Sequence, residues 1–405
     1  MLLELVFTTR LLGLVSGDQG IEVRVDRSVR KVDIVADGER IAKLGPPYRL
    51  VLHFGSGLVP HELTSIAYDA DGNEVGRDTQ LVNLARPRAE AAIDLDRDAK
   101  SGRLRAKVRW QHIVAAKPKR IELKLDGKRI ATEATALLPP LPSDYSIHVL
   151  EAKVEFRGGT TAAKELVFGG RYSEHMPTEL TSVIGNENTR CFQSGERIVR
   201  AAAIEKPDAN IYFVRSGDAG VARHRLHGDD DRPFSLAGVK VTYLWPSPSS
   251  YRVSERRAVI DLFDGSGFFD GNVGTLRFLT KWAGPDRSGS ERFADAVAVS
   301  AVQSLAGAKR RAVVLVLGGE RDDSQHTAGA VRRYLERIGV PLRVWSLIGV
   351  TPQLTAEWGD VIDISNPERL RAATDELRRM IDEQRIVWLP LHPLQALQAK
   401  PADCR

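Results

Sequence analysis

The sequence predicts a multidomain chain in which two tandem β-sandwiches precede an open α/β sheet. Three observations predict this. An Asp-Gly pattern occurs twice in the first third of the chain, and strand-like alternation broken by turn residues surrounds both copies. Beyond residue 310 the pattern changes to alternating strands and helices. At 405 residues the chain has room for a proper core in each part.

The sandwiches come first. "VDIVADGERIA" (Val32 to Ala42) recurs as "IELKLDGKRIA" (Ile121 to Ala131), placing Asp37-Gly38 and Asp126-Gly127 89 residues apart. "HELTSIAYDADG" from His61 likewise recurs as "HVLEAKVEFRGG" from His148, 87 residues on. Alternating residues before an Asp-Gly turn mark a hairpin with one buried face. The spacing predicts sandwich modules over 20–93 and 94–175, the second a divergent copy of the first. Residues 176–235 read as a β-rich linker or small module, with "ERIVRAAAIE" and "NIYFVRS" as strands. Asp229, Asp230 and Asp231 read there as a solvated turn, because they lack the spaced ligands of a cation loop.

The α/β part is predicted over 236–395. "RAVVLVL" (Arg311 to Leu317) is a continuous apolar run, as a strand covered on both faces requires. "TAGAVRRYLERIG" puts Val331, Tyr334, Leu335 and Ile338 on one helical face, and Gly339 stops the helix. "PLRVWSL" and "DVIDIS" are the next strands. Asn366 caps a further helix with Pro367 at its first position and Leu370, Ala373, Leu377 and Ile381 buried. "RIVWLPL" returns as a strand.

Bulk properties exclude several classes. Apolar residues are 42% and charged residues 27%, as in a globular chain. The net charge of +5 comes from 58 basic and 53 acidic residues that alternate in sign, so no basic stripe for nucleic acid exists. No run of eighteen apolar residues offers a membrane span. Cys191 and Cys404 lie far apart and imply neither a disulfide framework nor a thiolate metal site, with Cys404 expected to be exposed. The start, "MLLELVFTTRLLGLVSG", is interrupted by Glu4 and Arg10 and fits a secretory signal poorly. That argues for the cytoplasm, whereas the domain types argue for export.

Two resemblances add to this reading. "GERIAKLGPPYRLVL" with "HELTSIAYDADGNEVGRD" resembles the immunoglobulin-like modules of bacterial surface and secreted proteins. "RRAVVLVLGGERDDSQHTAGAVRRYLERIGVPLRVWSL" resembles the von Willebrand factor type A domain in its bacterial variant. "SGSERFADAVAVSAVQSL", with its Asp295-Ala296 pair, resembles that family's second loop and following helix. The resemblance implies a metal site built from an Asp-x-Ser-x-Ser loop after the first strand, a Thr in the second loop and an Asp after the fourth strand. Taking "VKVT" as the first strand, the acid falls at Trp245, the serines at Ser247 and Ser249, the Thr near Ser290 and the last acid at Gly318. Both carboxylates are then missing, and hydroxyls alone cannot offset a dication's charge. A competing register uses Asp264, Ser266 and Asp322.

Other chemistry is sparse. The nine histidines form no metal-binding pair on a helix, and His224 and His227 read as surface residues. No Gly-x-Ser-x-Gly elbow occurs, so no nucleophile–base pair is visible and a hydrolase has no support. "LGGERDD" reads as a tight turn, and Trp245, Trp282, Trp345 and Trp388 as packing residues. The expectation is a non-enzymatic protein-interaction or adhesion scaffold with a vestigial metal site and no cofactor. Its partner is an unidentified protein, with no small-molecule substrate implied. The alternative is a Mg²⁺/Mn²⁺-dependent adhesion module using Asp264, Ser266 and Asp322.

Overall fold

A computed structural model describes the chain apart from residues 1–2, 8–13, 26, 85–88, 99, 113–116, 142–146, 158, 170–176, 179–180, 186–187, 202, 216–235, 237, 254–257, 272–289, 306–308, 390, 392 and 405. Strands dominate and helices are few. The chain divides into two compact units. One holds Met1–Arg86, Ile184–Asn188 and Glu205–Ile386, and the other holds Pro87–Val183, Thr189–Ile204 and Val387–Arg405.

In the first unit, seven strands open the chain: β1 (Leu3–Phe7), β2 (Asp18–Val25), β3 (Lys31–Ala36), β4 (Glu39–Leu44), β5 (Arg49–His53), β6 (His61–Tyr68) and β7 (Glu74–Val82). They form antiparallel sheets ordered β1-β2-β5 and β4-β3-β6-β7. Ile21 and Val23 from the first sheet pack with Val32, Ile34, Leu63 and Ala67 from the second, the alternation that two-faced strands require. The module reaches further toward the N-terminus than residue 20. Its Pro-Pro-Tyr segment carries a cis Pro46-Pro47 bond, and the Tyr48 hydroxyl donates to the Val29 carbonyl at 2.9 Å.

The second unit repeats the scheme with β8 (Ala89–Arg97), β9 (Leu104–His112), β10 (Pro118–Leu125), β11 (Lys128–Ala131), β12 (Thr135–Leu137), β13 (Ile147–Phe156), β14 (Thr161–Gly169) and β15 (Pro177–Thr178). Its sheets are β12-β9-β8 and β11-β10-β13-β14-β15, around Ala106, Val108, Leu123, Leu150, Val154 and Phe168.

The repeated Asp-Gly turns and histidines turn out to be partners. Asp37 and Asp126 both sit at φ 50°, with Gly38 and Gly127 also at positive φ, as a tight hairpin turn demands. The Asp37 carboxylate meets His61 Nδ1 at 2.7 Å and accepts from the Glu62 amide at 2.8 Å. Asp126 does the same with His148 at 2.8 Å and the Val149 amide at 2.9 Å. Burial pushes the Asp126 carboxyl up, but the Val149 amide and His148 outweigh it, so its pKa lies below the ordinary value. A depressed folded pKa stabilises the fold above the unfolded pKa of about 3.9, and this is lost as pH falls through the folded value. Asp126→Asn is therefore expected to lose less thermal stability than the native chain between about pH 5 and about pH 2. Melting curves across that range check it.

Further along come β16 (Thr181–Gly185), β17 (Cys191–Ser194), β18 (Arg197–Arg200) and β19 (Ala203–Glu205). The α/β part then follows as β20 (Ala209–Arg215), β21 (Val239–Leu244), a hairpin of β22 (Ser249–Val253) and β23 (Ala258–Leu262), β24 (Phe269–Asp270), α1 (Phe293–Ser304), β25 (Arg310–Leu317), α2 (Ala328–Arg337), β26 (Leu342–Ser346), α3 (Pro352–Trp358), β27 (Val361–Asp363) and α4 (Pro367–Glu383). Last are β28 (Arg385–Leu389), α5 (Pro393–Leu397) and β29 (Lys400–Ala402).

Six strands form one sheet in the order β24-β21-β20-β25-β26-β27, parallel except for β24. Phe213, Val241, Val314 and Trp345 on one face meet Leu370, Ala373, Leu377 and Ile381 of α4. Each such side chain contributes about 1.5–3 kcal/mol on burial. The predicted helical faces hold: Val331, Tyr334 and Leu335 of α2 are buried, and Asn366 accepts from the Arg369 amide at 2.9 Å to start α4. The Tyr334 hydroxyl reaches back to donate to the Asn83 carbonyl at 2.7 Å, tying α2 to the first sandwich.

Three expectations are corrected. Residues 209–215, read as part of a linker module, are β20 in the middle of the sheet, buried on both faces between β21 and β25. The strand "RIVWL" is β28, which pairs outside that sheet, between β16 and β19. The cysteines are joined: Cys191 and Cys404, 213 positions apart, form a disulfide. The pairing of β17 with β29 brings the two together.

Candidate functional site at the rim of the sheet

Ligands of open α/β sheets bind beyond the carboxyl ends of the strands, near the point where strand order reverses. In chain order β20 is the first strand, and its neighbours are the second, β21, and the fourth, β25. The first-strand end is therefore Arg215, not Trp245. The chain continues from Arg215 as Ser216-Gly217-Asp218-Ala219. The residues after Arg215 lie outside the described part, as do Asp229 to Asp231, His224, His227 and Trp282. Arg215 itself is 5% exposed, on the same side as Phe213, and its charge acts on the buried Tyr243 ring.

The residues first assigned to the site take other places. Trp245 follows β21, packs against the sheet's core and donates its amide to the Asp264 carbonyl at 3.0 Å. Ser247 is half-buried beyond it, and Ser249 opens β22 opposite Leu262. Ser290 is exposed just ahead of α1. Gly318 does end the fourth strand, as expected. Its amide donates to Glu320 Oε2 at 2.8 Å, and a Cβ there would come within 2.6 Å of Glu320 Oε1. The Glu320 carboxylate fills the space beside the Gly318 Cα.

In the competing register, Ser266 and Asp322 are engaged by backbone amides. The Ser266 hydroxyl accepts from the Tyr243 amide at 2.9 Å. Asp322 caps α1 from a distance, accepting from the Phe293 amide at 2.9 Å and the Ala294 amide at 3.2 Å. Among the described residues there is no group of three His, Cys, Asp or Glu side chains placed to hold a metal ion.

A denser cluster lies at the start of α1, and sequence reasoning missed it. Asp295 is fully buried. Its Oδ2 accepts from Arg292 Nε at 2.7 Å, from Arg292 Nη2 at 2.5 Å and from the Gln325 amide at 2.9 Å. Arg292 Nη1 donates to Asp261 Oδ2 at 2.6 Å, and Asp261 Oδ1 accepts from the Ser250 hydroxyl at 2.5 Å. Asp295 Oδ1 accepts from His326 Nδ1 at 2.7 Å and from the His326 amide at 3.2 Å. His326 Nε2 in turn stands 3.0 Å from Ser16 Oγ, in the turn before β2. Burial pushes the Asp295 carboxyl up, but His326, the Gln325 amide and Arg292 outweigh it and hold its pKa below the ordinary value. Burial also opposes the Arg292 charge, and Asp261 and Asp295 more than offset it. Ser16 and His326 are 310 positions apart in sequence and meet only in the fold. No local motif could have signalled it.

No known protein family and no curated protein matches the sequence. Among solved structures, the fibronectin(III)-like modules of Clostridium thermocellum CbhA are 12% identical, covering 42% of this chain and 94% of theirs at a TM-score of 0.17. The central fibronectin-III array of RIM-binding protein is 10% identical, covering 46% and 75% at a TM-score of 0.27. A 1.5-MDa bacterial ice-binding adhesin is 10% identical, covering 51% and 66% at a TM-score of 0.16. At such scores the likeness carries no conclusion about function.

Proposed function

We propose that the chain is a protein-interaction scaffold in which immunoglobulin-like sandwiches accompany a von Willebrand factor type A-like sheet that has given up its metal. The observation that carries this reading is Arg215 at the end of the sheet's first strand, with Gly318 at the end of the fourth. A guanidinium about 5 Å from a dication opposes it by roughly 7 kcal/mol at an effective dielectric of about 20. The Glu320 carboxylate beside Gly318 is engaged by the Gly318 amide. Partner binding at the rim then rests on shape and on the loops after β20, β21 and β25. The Cys191–Cys404 disulfide supports an oxidising compartment, in line with export.

Millimolar Mg²⁺ or Mn²⁺ is expected to leave the melting temperature unchanged. A resident site filled to a thousand times its Kd would add about 4 kcal/mol, so a metal-dependent rise in melting temperature would sink the proposal.

A further inference from the structure

We propose that Ser16 is an activated nucleophile, with His326 as its base and Asp295 as the residue that positions the base, suited to cleaving a small, activated carboxylic ester. An ionised carboxylate only accepts hydrogen bonds, so the 2.7 Å contact from Asp295 places the proton of neutral His326 on Nδ1. The Nε2 lone pair then faces the Ser16 hydroxyl at 3.0 Å, within reach for proton transfer. The backbone amide of His326 also donates to Asp295, fixing the ring's orientation from two sides. A nucleophile, a base and an orienting acid linked in this order form the arrangement that activates serine on unrelated folds.

The charges around the histidine suit it. Asp261, Asp295 and Arg292 sum to one negative charge, held away from water with Asp295 wholly enclosed. That charge stabilises the imidazolium formed when His326 takes the serine proton. The His326 side chain is 9% exposed and Ser16 is half-buried, so the pair is shielded from bulk water without being fully enclosed.

The chemistry balances as hydrolysis. Ser16 Oγ bonds to the ester carbonyl carbon while its proton moves to His326 Nε2. The bond from that carbon to the leaving oxygen breaks, and His326 returns the proton to the departing alcohol. Water, deprotonated by the same nitrogen, then attacks the acyl-serine, releases the carboxylic acid and restores the hydroxyl.

The test treats the full chain with a fluorophosphonate probe and reads the intact mass and the labelled peptide. One adduct per chain on Ser16 is expected. Ser16→Ala, which removes a single hydroxyl, should abolish it with an unchanged circular dichroism spectrum. His326→Ala should slow labelling about 100-fold or more. No adduct on Ser16, or an equal rate in His326→Ala, would overturn the proposal. A wild-type chain that stays unlabelled while Ser16→Ala melts at a lower temperature would also overturn it, by showing a strut.

Discussion

Replacing Asp295 with alanine is expected to destabilise the first unit by roughly 3–5 kcal/mol, the cost of leaving a buried charge without its partner. The side chain is fully buried and receives two bonds from Arg292, two amide bonds and the His326 ring. Removing it strands a guanidinium that keeps only Asp261. It also frees the 325–326 backbone that leads into α2. Urea unfolding should show a lower midpoint with an unchanged slope. A loss below about 1 kcal/mol would mean that the cluster is solvated and screened like a surface pair.

Cys404→Ser is the second large effect. In the chain-entropy description, a crosslink spanning 213 residues stabilises the fold by about 5 kcal/mol. The bond closes the second unit across its own discontinuity, because β17 and β29 come from opposite sides of the 205–386 insertion. Without it, the edge strand Lys400–Ala402 keeps only its pairing with β17 and is expected to detach first. Intact mass before and after reduction shows whether the bond is present. Urea unfolding of the variant then gives its contribution, and identical midpoints would refute it.

Much of this architecture was legible because it is local. Periodicity marked Val331, Tyr334 and Leu335 as one face and Leu370 to Ile381 as another, and hydrophobic burial selects those faces. The duplicated Asp-Gly and His signals were legible for a deeper reason. A hairpin turn at positive φ needs its Asp-Gly, and the same Asp holds the His of a neighbouring paired strand in both modules. What was not legible depends on strand order. "NIYFVRS" looks the same in sequence whether it sits at an edge or between two parallel strands, so the sheet's first strand was placed one strand too late. Ser16, Asp295 and His326 meet only after the first sandwich docks on α2, and Cys191 meets Cys404 only after the last strand returns.

The most direct test of the rim is a crystal of the full chain grown with Mn²⁺ in place of Mg²⁺, with an anomalous difference map calculated around Arg215 and Gly318. No peak is expected there, with the Arg215 guanidinium filling the end of the first strand. A peak ringed by protein oxygens at about 2.1 Å would contradict the reading and restore a cation-dependent site.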